Sequence, residues 1–273
     1  MYGLTFEAVA PFLTALGLAT TRVGALMMSA PVFQAASIPA NLKATITFVL
    51  SVLVVLRSGP LLPTTPDGLA VDPTSAAFLI SAVVRELMAG VLMGLAASAV
   101  FAAVQMAGGL MGIQMGFSVA NVIDPTTRQQ NGLVTQLLNL MAVLIFLSLD
   151  GHLYLLKALF DSFQLVPLGQ VAPDLGALME IFMTLGTGLF ALGLNMALPI
   201  VCVVLFVNVG LALSMRAVPQ INIFAVGFIL SIGVGFIVLL RALPSEGGAL
   251  EQMSAQVVEA AGAVAERLGD GRP

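Results

Sequence analysis

The sequence predicts an all-α protein built for a membrane or a membrane complex, with about six helical segments. Two observations carry this. Of the 273 residues, 59% are hydrophobic and only 9% are charged, whereas a soluble domain carries about 25% charged residues. The mean hydropathy is +1.06. The apolar residues also come in long continuous runs rather than in alternation, which excludes a β-barrel. Helix is then the form in which backbone groups satisfy one another away from water.

The segments lie near residues 4–28, 41–57, 76–106, 130–160, 177–208 and 220–243, each long enough to approach or exceed a bilayer's hydrocarbon core. The first begins MYGLTFEAVAPFLTALGLAT. It has Glu7 and no basic flank, so it reads as a helix of the fold rather than as a cleaved signal. Arg22, inside this stretch, is expected near its end with its guanidinium reaching toward water. Pro31 and Pro39 bracket PVFQAASIP, and RSGPLLPTTPDGLAVDP, with four prolines and two aspartates, reads as an aqueous loop. In the fourth stretch Asp150-Gly151 marks a helix end or turn. PLGQVAPDLG and RAVPQ separate the later stretches. Asn195, Asn208 and Pro199 give the fifth polar groups for helix packing and a kink. After Leu243 the chain turns polar. Leu250, Met253, Val257, Val264 and Leu268 fall on one helical face there, so a short amphipathic helix or a frayed tail is expected.

Several functions are disfavoured. The net charge of −4 and ten scattered basic residues argue against nucleic acid, whose phosphates require clustered Lys and Arg. Cys202 and His152 are the only cysteine and histidine, so neither disulfides nor a multi-histidine or thiolate metal site is expected. No cofactor motif is present, and no P-loop. Asp150, His152 and Lys157 form the densest polar group, and a structural turn explains it better than catalysis. An ion-coupled small-molecule transporter, the reading from a different class, would place ionisable groups inside its spans. Residues 87–123, 181–215 and 217–240 hold no Asp, Glu, Lys, Arg or His. Lys43, Arg57, Arg85, Arg128, Lys157, Arg216 and Arg241 favour neither side of a membrane. With no Trp and two Tyr, there is no aromatic belt, as suits a protein surrounded largely by other protein.

The uncharged stretch from Leu87 to Ile123 would run roughly 55 Å as helix, nearly twice a hydrocarbon core of about 30 Å. It closes on QMAGGLMGIQMGFSVANVIDP. Gly108, Gly112 and Gly116 recur at every fourth position, as in a close-packing stripe. Gly108 and Gly109 are adjacent, and each glycine costs about 1 kcal/mol in helix relative to alanine. Met106, Met111 and Met115 are adaptable fillers, and Phe117 adds bulk. A packing stripe and a deformable closure both fit these residues.

GIQMGFSVANVIDP, followed by FLSLDGHLYLLKALFDSFQLVPLG, resembles the FliR family of flagellar type III export-gate proteins. RVGALMMSAPVFQAASIPANLK near the start and VPQINIFAVGFILSIGVGFIVLL near the end extend the likeness over residues 5 to 245, in order. Injectisome counterparts of virulence systems are related, and the DGH and PQINIF stretches look more like the flagellar branch. The resemblance implies a non-enzymatic subunit that completes a pore with FliP and FliQ homologues, is wrapped by FlhB, and passes unfolded flagellar proteins. It implies FliP-like helices over residues 1–168, a FliQ-like hairpin over 169–245 and a tail over 246–273. It implies a place in the bacterial inner membrane at the basal body, partly above the bilayer plane within the ring. It also implies that residues of about 105–123 form a loop plugging the pore. Met106, Met111, Met115 and Phe117 would then seal it, Gly108, Gly109, Gly112 and Gly116 would supply flexible backbone, and Asp124 and Pro125 would anchor its end.

Overall fold

A computed structural model describes residues 6–34, 38–58, 75–117, 132–169, 175–214 and 226–242. Every regular element among them is helical: α1 Phe6–Ser29, α2 Pro31–Gln34, α3 Ala40–Ser58, α4 Ala76–Gln114, α5 Leu133–Ser148, α6 Gly151–Leu165, α7 Leu175–Ser214 and α8 Val226–Ala242. Four helices are long and apolar enough to cross a membrane, or five if α5 and α6 together count as one broken span. The proline-rich loop after α3, Asp124, Pro125 and the tail after Leu243 lie outside the described residues.

The helix boundaries follow local chemistry. The Pro39 carbonyl accepts from the N–H groups of Leu42 and Lys43 and so starts α3. The fourth apolar stretch breaks as expected at Asp150, which has φ 56°, in the left-handed region that Asp tolerates better than bulkier residues. Its carbonyl accepts from Leu153 and Tyr154 and opens α6. Helix α7 continues through Pro199.

The described residues divide by proximity into two compact units. One draws on Met1–Ala99 and Asp150–Leu185, the other on Val100–Leu149 and Gly186–Ser254. This spatial grouping does not address the linear division at residues 168 and 169.

In the first unit, α1 and α4 touch almost backbone to backbone. A Cβ on Gly90 would overlap the Arg22 carbonyl oxygen and lie 2.6 Å from the Ala25 Cβ; one on Gly94 would overlap the Ser29 Oγ and lie 3.1 Å from the Ala30 nitrogen. Gly90 and Gly94 thus form the small-xxx-small contact that lets apolar helices approach closely. One turn before Gly90, on the same face of α4, stands Glu86.

That approach encloses an ion pair. Arg22 is 1% exposed and Glu86 0%, so Arg22 does not reach water at its helix end as expected from the sequence. Its Nε donates to Glu86 Oε2 at 2.5 Å and its Nη2 to Oε1 at 3.1 Å. Nη1 donates to the Ser162 carbonyl at 3.1 Å, and both Nη1 and Nη2 reach the Val166 carbonyl at 3.2 Å. The guanidinium lies 4.3 Å from the centroid of the Phe163 ring, and the Gly169 N–H donates to Glu86 Oε1 at 2.8 Å. Arg22 therefore caps the C-terminus of α6, where the helix dipole favours a cation. Glu86 pins the turn that follows.

Glu86→Gln keeps the shape but leaves Arg22 as an uncompensated buried cation. It is expected to cost about 3–5 kcal/mol, read as a lowered unfolding midpoint in detergent. The apolar double variant Arg22→Met with Glu86→Leu is expected to lose less than that single change. A double variant as unstable as Glu86→Gln would show that capping of α6, not charge balance, dominates.

Candidate functional site in the methionine and glycine segment

The second unit contains the segment singled out in the sequence. Helix α4 runs on to Gln114, so residues 105–114 are helical rather than a loop. Met115 to Phe117 form a turn, and 118–123 lie outside the described residues. The helix persists because no residue before Gly116 breaks its hydrogen bonding, and an apolar setting offers the backbone no other partner.

Gly116 ends it. Its φ is +92°, its N–H donates to the Ile113 carbonyl at 3.0 Å, and the Phe117 N–H donates to the Gly112 carbonyl at 3.0 Å. These two bonds with a left-handed glycine between them make a Schellman motif, which satisfies the last carbonyls of a helix. Beyond it the Phe117 ring meets Phe236 edge to face, with centroids 6.1 Å apart.

The other glycines differ from one another. A Cβ on Gly108 would lie 2.6 Å from the Thr135 Cα and 3.1 Å from its nitrogen, so Gly108 brings α4 against the start of α5. A Cβ on Gly109 or Gly112 would meet nothing within 4 Å. The four-residue repeat at 108, 112 and 116 is therefore not one packing stripe. The glycine pair that does pack as such lies earlier, at 90 and 94.

Two of the methionines rest on glycines of later helices. A Cβ on Gly193 of α7 would overlap the Met106 methyl, and one on Gly235 of α8 would lie 2.6–2.9 Å from Met115 Cγ, Cε and Sδ. Met111 and Met115 are fully buried. Phe101 and Phe146 stack edge to face at 5.5 Å. The Ser231 hydroxyl donates to Asn208 Oδ1 at 2.8 Å and joins α8 to α7. Asn208 thus serves helix packing as expected, whereas Asn195 is exposed.

Chemistry is sparse. Asp150 makes no side-chain cap, His152 Nδ1 is buried without a hydrogen-bond partner in the described structure, and Lys157 is exposed on α6. No hydrogen bond joins the three. No cluster of metal-ligating side chains occurs among the described residues. Sequence reasoning missed the Arg22–Glu86 pair, although its signal was present. Arg22 is the one charge within an otherwise uncharged run from Ala8 to Asn41.

Residues 13–257 match the bacterial export proteins, family 1. The chain is 34% identical over 223 residues to the flagellar biosynthetic protein FliR of Pectobacterium carotovorum subsp. carotovorum, covering 82% of each chain. It is 30% identical to FliR of Escherichia coli strain K12 over the same shares. With FliR of Bacillus subtilis strain 168 it shares 33% identity over 221 residues, 80% of this chain and 82% of that one. The chain belongs to the FliR family. These relatives are flagellar proteins named for biosynthesis rather than for a catalysed reaction, and the apolar helices fit a membrane-embedded member of that family.

The contacts of the glycines set a testable order. Gly108→Ala forces α4 away from Thr135 backbone and is expected to cost about 1–3 kcal/mol. Gly109→Ala enters open space and is expected to be neutral or to stabilise by up to about 1 kcal/mol. Unfolding midpoints of the purified variants in one detergent would check this; equal effects would contradict the packing described.

Proposed function

We propose that this chain is a subunit of the flagellar type III protein export gate. It completes a pore with FliP and FliQ homologues, associates with an FlhB homologue, and resides in the inner membrane at the flagellar basal body, partly above the bilayer plane. The observation that carries this reading is the FliR likeness over 82% of both chains, with the chain's motifs in order. The apolar exterior supports it. Phe182, Phe190 and Phe206 along α7 are 56%, 60% and 76% exposed, and apolar surface on that scale calls for lipid or protein cover.

Within such a gate, the segment from Met106 to Phe117 is the plug, with Asp124 and Pro125 at its end. Uncharged side chains suit that role, because hydrophobic constrictions close by excluding water. Helix to Gln114 followed by a glycine cap gives the plug a firm stem. Met106 and Met115 lie in glycine notches, which adaptable side chains can leave and refill. Energy for export comes from elsewhere.

The buried Arg22–Glu86 pair is what an ion-coupled transporter would be expected to contain. Its atoms, however, are committed to each other and to the backbone of Ser162, Val166 and Gly169, which suits a structural role.

Co-expression with the neighbouring FliP and FliQ homologues is expected to yield one discrete complex by native mass spectrometry. A chain that purifies folded and alone, with transport activity of its own, would overturn the gate reading. In the complex, deletion of Gly109 to Gly116 is expected to leave assembly largely intact while making cells leak ions. Lost assembly without a leak would make the segment a packing element instead.

A further inference from the structure

Between the last turns of α3 and the middle of α6, two adjoining hollows of about 290 and 700 Å³ share Arg57, Phe160 and Gln164. The larger one is floored by Leu53 and Leu56 and bordered by Lys157. Both leucines are exposed, at 50% and 67%. Arg57 and Lys157 are exposed as well, and neither forms an ion pair among the described residues. The one carboxylate on the rim is Asp161.

We propose that this groove binds an anionic glycerophospholipid. Its phosphodiester lies between Arg57 and Lys157, and an acyl chain follows Leu53, Leu56 and Phe160.

Three observations choose that occupant. First, the charges match. Two cations facing one hollow repel each other, and with Asp161 they leave a single net positive charge, which a phosphodiester carrying one negative charge neutralises. The planar fork of Arg57 suits two phosphate oxygens. Lys157 acts as a point charge, and the Gln164 amide can donate to ester oxygens.

Second, the lining combines both characters of a lipid. Basic and apolar side chains face the same hollow, whereas free phosphate would have no use for the leucines. Basic pockets between transmembrane helices are a recurrent headgroup site.

Third, α3 is in the right place. Its apolar window Ala40–Arg57 has a mean hydropathy of 1.6 and is only 17% buried within the chain. Arg57 stands in its last turn, where an apolar span gives way to the polar headgroup layer. A cation there also complements the helix dipole. That accounts for Arg57 alone and does not explain Lys157 beside it on another helix.

The proposal holds whether or not the chain enters an export gate. The full-length chain is titrated in detergent with phosphatidylglycerol and with phosphatidylcholine of the same acyl chains, and bound lipid is counted by native mass spectrometry. The wild type is expected to prefer phosphatidylglycerol by about tenfold, and Arg57→Gln with Lys157→Gln to lose most of that preference. Both cations are exposed and lie outside the Arg22–Glu86 network, so the double variant should fold. Its unfolding midpoint checks this. Arg241→Gln, an exposed cation elsewhere, should behave as wild type. Equal binding of the two lipids by the wild type would overturn the proposal, as would a double variant indistinguishable from Arg241→Gln. So would a photoreactive residue at Leu56 that, in the assembled complex, captures a protein subunit instead of lipid.

Discussion

An arginine and a glutamate enclosed among apolar helices are tolerable only when each hydrogen-bonding atom is matched, and much of the first unit follows from meeting that condition. Arg22 and Glu86 sit on different helices, so those helices must lie close. Gly90 and Gly94 permit this by removing the side chains that would hold α1 and α4 apart. The pair leaves donors over, and the C-terminal carbonyls of α6 take them. The Gly169 N–H then occupies the remaining carboxylate position. One ion pair thereby fixes two helix faces, the end of a third helix and the turn after it.

The second unit is held differently. Apart from Thr135 and the Ser231–Asn208 hydrogen bond, its described interior is apolar, and its specificity comes from shape. Gly108 admits the start of α5, Gly193 admits Met106, and Gly235 admits Met115. A methionine over a glycine gains contact without a rigid, branched fit, so the packing tolerates rearrangement better than a core of branched side chains would. The plug role proposed for this segment draws on this property. The Schellman cap at Gly116 sets where α4 stops.

The contrast bears on how such a chain functions. The unit with the buried charges has a geometry that is expensive to alter, because any separation strands an ion. Among its described residues, the unit with the methionine and glycine contacts holds no buried ion pair. A protein that must hold its place in an assembly while part of it moves benefits from that division.

Composition and uninterrupted apolar runs determined the all-α class, and proline and aspartate placed most helix ends within a few residues. The break at Asp150 was legible because few residues accept a left-handed backbone. Family membership was legible because four motifs stood in order. The roles of individual glycines were not. The repeat at 108, 112 and 116 looked like the packing stripe, yet the stripe is at 90 and 94, because which face of a helix meets a neighbour depends on where that neighbour lies. Arg22 failed to announce its burial for the same reason. Residues 22 and 86 meet only after α1 and α4 have packed, and a one-dimensional pattern carries no record of that meeting. The sequence by itself determined which segments are helices and that they shun water; only the tertiary structure decided which charges pair and which glycines touch, since both are properties of two helices at once.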